Sequence, residues 1–302
     1  MIPNSPLWGI DLGGTKVEGV IIDPQNPTMP LHRLRRDTGA VNGYEHILSQ
    51  IVAVVQDLEA ASGLSHPARI GIGTPGVVDP PIGSLKNSNT TCLNGRPLRD
   101  DLAGALNCDF VMANDANCFA LAEALCGAGC HSDVVLGLIL GTGVGSGIVI
   151  NSQVLNGHHG IAGEWGHNPL CGESRLCYCG RKGCIETVIA GPSLERYYHE
   201  NGGDKVSLPQ IVLRSDAGES LATQTLELLR AKFAEAIAAV INILDPDVIV
   251  VGGGVGNIPL LYEEATREAI LRHLFNPEMT TRLVPPQLGD SAGVFGAALL
   301  TA

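Results

Sequence analysis

Residues 163–186 read Gly-Glu-Trp-Gly-His-Asn-Pro-Leu-Cys-Gly-Glu-Ser-Arg-Leu-Cys-Tyr-Cys-Gly-Arg-Lys-Gly-Cys-Ile-Glu. This run holds a histidine (His167), a Cys-x-Cys pair (Cys177 and Cys179), a third cysteine (Cys184) and two flanking carboxylates, Glu164 and Glu186. Three thiols and one imidazole complete a tetrahedral Zn²⁺ set, and four protein ligands leave no open position for a catalytic water. The predicted metal is therefore structural. Gly180 and Gly183 lie between the thiols, where a knuckle must turn tightly and needs residues that tolerate positive φ. The competing reading, a loop of reduced cysteines, gives those glycines no purpose. Cys171 is near enough in sequence to compete as the fourth ligand. Closing the clip brings Glu164, His167 and Glu186 together as a polar wall for a small polar ligand.

Such a wall needs a scaffold. The chain has 302 residues, 45% of them hydrophobic, which suits one large domain or two lobes. A net charge of -12 argues against nucleic acid or an anionic membrane as partner. No apolar run approaches the roughly 18 residues of a membrane span, and the N-terminus has no basic stretch followed by an apolar one. The expectation is a soluble cytoplasmic protein. Of nine cysteines, Cys92, Cys108, Cys118, Cys126, Cys130 and Cys171 lack metal-type spacing, and an odd count in a chain of this size fits reduced, buried thiols better than a disulfide framework. Many of the 38 glycines directly follow apolar runs, in loops that let backbone approach a phosphate.

Residues 7–10 read as a strand, Asp11-Leu-Gly-Gly-Thr-Lys16 as a turn and residues 17–22 as the returning strand. The turn exposes backbone N–H groups and a hydroxyl to an anion such as a nucleotide phosphate, with Asp11 at its tip. Apolar spacing at Ile47, Ile51, Val54, Val55 and Leu58 predicts an amphipathic helix over 44–61. Residues 69–73 form a strand leading into a tight loop over 74–79, and residues 86–95 are either a plain surface loop or a substrate loop. A strand over 110–113 runs into Asn114-Asp-Ala-Asn117 and then a helix, where Asn114 or Asp115 could simply cap the helix.

Residues 134–140 form a buried strand, 141–147 a glycine loop and 148–154 the returning strand, repeating the plan of residues 7–22. The chain is thus read as internally duplicated. A dinucleotide-binding Gly-x-Gly-x-x-Gly is excluded because a strand, not a helix, follows. A long helix over 221–244 precedes a strand over 247–251 that ends in Gly252-Gly-Gly-Val-Gly256. That third glycine loop, entering a helix near Leu260, suits the adenosine end of a nucleotide. Residues 289–300 read as a Gly/Ala-rich helix able to pack closely, back onto the first lobe.

Asp11-Leu-Gly-Gly-Thr-Lys16, Asn114-Asp-Ala-Asn117, Gly141-Thr-Gly-Val-Gly145, Gly163-Glu-Trp-Gly-His167, the Cys177 to Glu186 clip and Gly252-Gly-Gly254, in this order, closely resemble the ROK-family sugar kinases. The resemblance runs from about residue 7 to residue 300. It implies an α/β, actin-like, hexokinase-type fold of two duplicated RNase H-like lobes with nucleotide and sugar in the cleft between them. The expected division is a small lobe over 1–113, joined by a C-terminal helix over 290–302, and a large lobe over 114–289 carrying the clip.

Position by position, the resemblance makes Asp115 the catalytic base that takes the proton from the attacking sugar hydroxyl. Asn89, Asn114, Asp115, Glu164, His167 and Glu186 would contact the sugar. His167 would serve twice, with one ring nitrogen on structural Zn²⁺ and the other free for a sugar hydroxyl. Asp11 would help hold the Mg²⁺ that accompanies ATP. Gly13, Gly14, Thr15, Thr142 and Gly143 would face phosphates, with Gly253 and Gly254 near the adenosine. Lys16 joins the phosphate group, although a lysine beside a turn is also commonly just solvated. Relatives are often dimers, so a homodimer is an allowed state.

The family also contains repressors with a helix-turn-helix before the first hairpin, and here only six residues precede Leu7. For the sugar, residues 86–97 and 163–170 look like the fructokinase or mannokinase branch. Residues 114–123 and 136–145 look equally like the N-acetylglucosamine kinases. Cys92, where an aromatic is expected, and the short spacer from His167 to Cys177 depart from the fructokinase pattern. The expectation is a hexose 6-kinase with fructose first and mannose or glucose next. The alternatives are an N-acetylglucosamine or N-acetylmannosamine kinase and a sugar-binding regulatory protein without turnover, which the intact Asp115 argues against.

Overall fold

The structure, a computed structural model, describes residues 5–289 and 292–302. Strand β1 (Leu7–Leu12) is apolar and buried except at Asp11, and the Gly13-Gly14 turn returns the chain as β2 (Lys16–Asp23). The two pair antiparallel, with Leu7 opposite Ile22 and Leu12 opposite Val17. An exposed strand, β3 (Asn26–Asp37), adds to the far side of β2. Helix α1 (Tyr44–Ser62) buries the predicted stripe from Ile47 to Leu58 and stops at Gly63, whose φ of 69° closes its last turn.

Strand β4 (Arg69–Thr74) pairs parallel with β1. A small ribbon of β5 (Val77–Val78) and β6 (Leu85–Lys86) and helix α2 (Leu98–Leu106) follow. Strand β7 (Asp109–Asn114) then pairs parallel with β4, and α3 (Asp115–Cys126) starts directly at its end. This sheet has the order β3-β2-β1-β4-β7.

The plan repeats with β8 (Val134–Leu140), β9 (Val144–Ile150) and β10 (Gln153–Val154). After the cysteine-rich segment come α4 (Glu186–Ile189), α5 (Gly191–Glu200), α6 (Leu208–Asp216) and α7 (Ser220–Leu244). The chain then forms β11 (Val248–Gly252), α8 (Gly253–Gly256), α9 (Glu264–Leu271), β12 (Arg282–Val284) and α10 (Ala292–Leu299). The second sheet is ordered β10-β9-β8-β11-β12, the same arrangement of a three-strand meander followed by two parallel strands. The duplication read from the two glycine hairpins is present.

Two local expectations change. The returning strand starts at Val144 rather than 148, so Gly145 and Gly147 lie inside β9. A Cβ on Gly147 would come within 2.6 Å of the Ala116 carbonyl, so this glycine serves close backbone approach within a strand rather than a loop. The segment near Leu260 is a 3₁₀ turn, Pro259–Tyr262, and the regular helix begins only at Glu264. The C-terminal helix is α10, and residues 290 and 291, expected at its start, lie outside the described residues.

Contacts divide the chain into two compact units. One comprises Met1–His131, Gly147–Ala162 and Gln287–Ala302, and the other Ser132–Ser146 and Gly163–Pro286. The first thus extends past the expected boundary at residue 113, because α10 packs on α3 as well as on β1 and β4. Small residues make that packing possible: a Cβ on Gly71 would strike the Ala297 carbonyl, and one on Gly296 the Cys118 carbonyl. In the second unit Trp165 packs edge-on to Phe233, with ring centroids 6.4 Å apart, and donates its indole N–H to the Ala236 carbonyl at 3.2 Å. Among the described residues, no helix is long and apolar enough to cross a membrane.

Candidate functional site

In the first unit the ends of β1 and β7 and the 86–95 segment enclose a cleft of about 590 Å³ lined by Asp11, Gly13, Gly14, Asn89, Cys92 and Asp115 among others. Asn114 caps α3, its side-chain oxygen accepting the Asn117 N–H at 2.7 Å. The capping role raised for Asn114 or Asp115 therefore falls to Asn114. Asp115, the first residue of the helix, accepts the Ala116 N–H at 2.8 Å and opens to solvent in the cleft. The protein crowded around it desolvates the carboxylate and raises its pKa, against the lowering pull of that backbone N–H. Desolvation, then the charges of Asp115 and Glu18, push Asp11 up to about 6, with Lys16 pulling the other way. A desolvated carboxylate with acidic neighbours is a fitting partner for a divalent cation.

Around the first turn, Gly13 donates its N–H to the Lys16 carbonyl at 2.9 Å and accepts the Thr38 hydroxyl at 2.6 Å, while the Thr15 carbonyl accepts the Thr38 N–H at 2.8 Å. Lys16 sits 3.7 Å from Glu18. Glu18 is only 2% exposed and also accepts from Arg33 and, at 2.7 Å, from Arg35. Burial would raise its pKa, but the two guanidinium hydrogen bonds outweigh that and hold it low. Lys16 is thus part of a buried-carboxylate cluster whose center, Glu18, the sequence reading missed. Its signal was an acidic residue within the apolar run from Val17 to Ile22, facing the Arg-rich β3.

In the second unit His167, Cys177, Cys179 and Cys184 place their ligand atoms within 4.8 Å of one another. Cys179 Sγ lies 3.6 Å from Cys184 Sγ, and Cys177 Sγ 3.7 Å from His167 Nδ1. Zinc bonds of about 2.3 Å to sulfur and about 2.0 Å to nitrogen, spread tetrahedrally, separate ligand atoms by about 3.5–3.8 Å. The donor set fits Zn²⁺. Gly180 and Gly183 have φ of 85° and 73°, and the knuckle is closed by the Cys177 N–H on the Arg181 carbonyl at 2.8 Å. Cys171 is exposed and stands outside the group, so it is not the competing ligand considered above.

The second nitrogen of His167 is not open, as expected above, but lies 3.1 Å from the Tyr178 hydroxyl, the two rings being edge-to-face with centroids 5.3 Å apart. Partial burial and then the charges of Glu186, Cys177, Glu164 and Cys179 push the Tyr178 phenol up to about 12. Glu186 accepts the Val144 N–H at 2.9 Å, and a Cβ on Gly143 would come within 2.7 Å of the same carboxylate. A side chain at Gly143 would therefore push the Glu186 carboxylate off the Val144 N–H. Glu164 precedes the turn Trp165–His167 and accepts the His167 N–H on its carbonyl at 3.3 Å.

A second pocket in this unit, of about 730 Å³, is mainly apolar and is lined by Thr142, Pro192, Leu208, Leu213, Gly254 and Ile258 among others. Gly253 takes φ 83° beneath the Leu140 carbonyl and serves the turn, whereas Gly254 faces open space at the pocket. The α5 and α6 residues of this wall were missed by the sequence reading. Their signal was the Ser207 to Gln210 capping box, with Ser207 N–H on Gln210 Oε1 at 3.0 Å, followed by Leu208, Ile211 and Val212 at helical spacing.

A family profile described as ROK family matches residues 7–302. An N-acetyl-D-glucosamine kinase of Photobacterium profundum is 34% identical over 303 residues, covering 97% of this chain and 98% of that protein. Among solved structures, a ROK hexokinase from Thermus thermophilus superposes with a TM-score of 0.87 at 31% identity, over 98% of this chain and 97% of the other. A ROK family glucokinase from Streptomyces griseus, in complex with glucose and AMPPNP, gives 0.77 at 28% identity, over 97% and 98%. The fold is the expected α/β, actin-like, hexokinase type.

Proposed function

The chain belongs to the ROK family, and from that premise we propose that it is an ATP-dependent sugar kinase that phosphorylates the 6-hydroxyl of a hexose, with N-acetyl-D-glucosamine as the leading substrate. The observation that carries the reading is the cleft presenting Asp115 and Asp11 together at the ends of β7 and β1. Phosphoryl transfer is mostly positioning and electrostatics, with one proton to remove. Asp115, open to the cleft with a raised pKa, takes that proton from the attacking hydroxyl. Asp11 is the anchor for Mg²⁺, which when bound with ATP neutralizes phosphate charge.

Asn89, Asn114, Glu164, His167 and Glu186 orient the sugar hydroxyls. Gly13, Gly14, Thr15, Thr142 and Gly143 face the phosphates, with Lys16 adding long-range charge from its place beside Glu18. Gly254 lines the apolar pocket that takes the adenosine, and Gly253 makes the turn that holds it there. Zn²⁺ in the clip is structural and takes part in no step.

The choice of sugar follows the likeness to the Photobacterium enzyme over nearly the whole chain, and it moves fructose from first to second place. Fructose, mannose or glucose form the second reading, favored by residues 86–97 and 163–170 and by the likeness to the Thermus hexokinase. The test is ADP release with Mg-ATP against N-acetylglucosamine, N-acetylmannosamine, fructose, mannose and glucose. The expected result is N-acetylglucosamine ahead by about tenfold or more in kcat/KM, equivalent to about 1.4 kcal/mol of transition-state discrimination. A plain hexose in the lead would install the second reading. Binding of one sugar without turnover of any would replace the kinase with a regulatory sugar-binding protein.

A further inference from the structure

We propose that Tyr178 is a sugar-recognition residue, the group through which His167 acts on the substrate. The inference deepens the kinase reading above and rests on it. Tyr178 stands between two thiols of the clip, and although one ring edge meets His167, its side chain is 78% exposed, so the rest of the ring is presented outward. Its hydroxyl meets His167 Nε2 at 3.1 Å. On the opposite side of the imidazole, Nδ1 faces Cys177 Sγ at 3.7 Å, within the group that fits a metal.

With Nδ1 committed there, the ring proton sits on Nε2 and is donated to the phenol oxygen. The phenol is then an acceptor toward His167 and keeps its own O–H as a donor. A chain of hydrogen bonds polarizes each of its members, so a phenol fed by an imidazole N–H is a stronger donor than a solvated one. Glu164 and Glu186 are assigned to the same sugar. Two carboxylates offer only acceptors to a polyol, and Tyr178 adds a donor on their side of the sugar for a hydroxyl or acetamido oxygen.

The competing role is structural, with the phenol only fixing the orientation of His167. Tyr178→Phe keeps the ring edge against His167 and removes the hydroxyl, and its effect across the five sugars separates the two roles, since a direct contact is lost unequally among sugars that differ at the hydroxyl or acetamido group it meets, whereas a misplaced His167 weakens all of them alike. Calorimetric titration of N-acetylglucosamine and the other four sugars, without nucleotide, would be run on wild type and variant, together with zinc content and the KM for ATP. The expected outcome is a Kd for the preferred sugar weakened about 3- to 10-fold, the usual worth of one hydrogen bond, with zinc stoichiometry and ATP KM unchanged. An unchanged Kd in Tyr178→Phe would overturn the inference and leave the kinase reading standing. Zinc and sugar affinity lost together would also overturn it, making the phenol part of the clip. Wild-type protein that binds none of the five sugars would overturn the kinase reading, and this inference with it.

Discussion

Asp115 occupies the first position of α3, where its carboxylate accepts one backbone N–H while its neighbors raise its pKa. Asn can keep that acceptor but cannot take up a proton. Asp115→Asn is accordingly expected to hold the fold and the sugar Kd within about twofold, and to lower kcat by about 10²- to 10⁴-fold, the range for a general base. Rate measurements beside calorimetry decide it, and near wild-type turnover would remove Asp115 from the role of base. The residue types were readable at this position because cap and base were the two open roles, and the structure assigned the cap to Asn114. Lys16 was not readable in the same way. Its partner Glu18 is held by Arg33 and Arg35 on a strand whose register is set only once β2 and β3 pair.

The clip shows what spacing alone can reveal about an element. His167, Cys177, Cys179 and Cys184 fall within eighteen residues, 167–184, so the donor set that fits a metal was legible from spacing before any fold was known. The apolar pocket was not, because its wall joins α5 and α6 to the Gly252–Gly256 turn, and only tertiary packing brings these together. The element-level prediction is about one zinc per chain in protein purified without chelator. Removing it frees His167 and Tyr178 from their fixed orientation, so the sugar KM should rise on the order of 10-fold, with the KM for ATP little changed. Metal analysis paired with steady-state kinetics checks this. Metal-free protein with an unaltered sugar KM would leave the clip without a positioning role.

For the molecule as a whole, two glycine hairpins predicted the duplication, and the two sheets carry it out with matching strand orders. The extent of the first unit escaped the sequence because α10 reaches α3, β1 and β4 through glycine contacts between distant segments. The same desolvated setting that suits a cation should also cost global stability. Asp11 titrates near 6 in the folded chain against an ordinary value of 3.8. Its folded pKa is thus raised, the native state binds more protons than the unfolded chain between about pH 4 and 6, and stability falls as pH rises through that window. Above it the ionized carboxylate carries its full penalty. Asp11→Asn removes the charge, so without divalent cations at pH 7.5 the variant should melt above wild type, by about 2–4 °C for each kcal/mol relieved. The difference should vanish as pH approaches 4, where wild-type Asp11 is protonated in the folded state. Added Mg²⁺ with ATP should narrow the gap at pH 7.5 by stabilizing wild type through binding. Thermal unfolding across this pH range, with and without Mg-ATP, reads all three effects. Equal melting temperatures at every pH would show that Asp11 is not held against its own desolvation, and would withdraw the argument that its site is built for a cation.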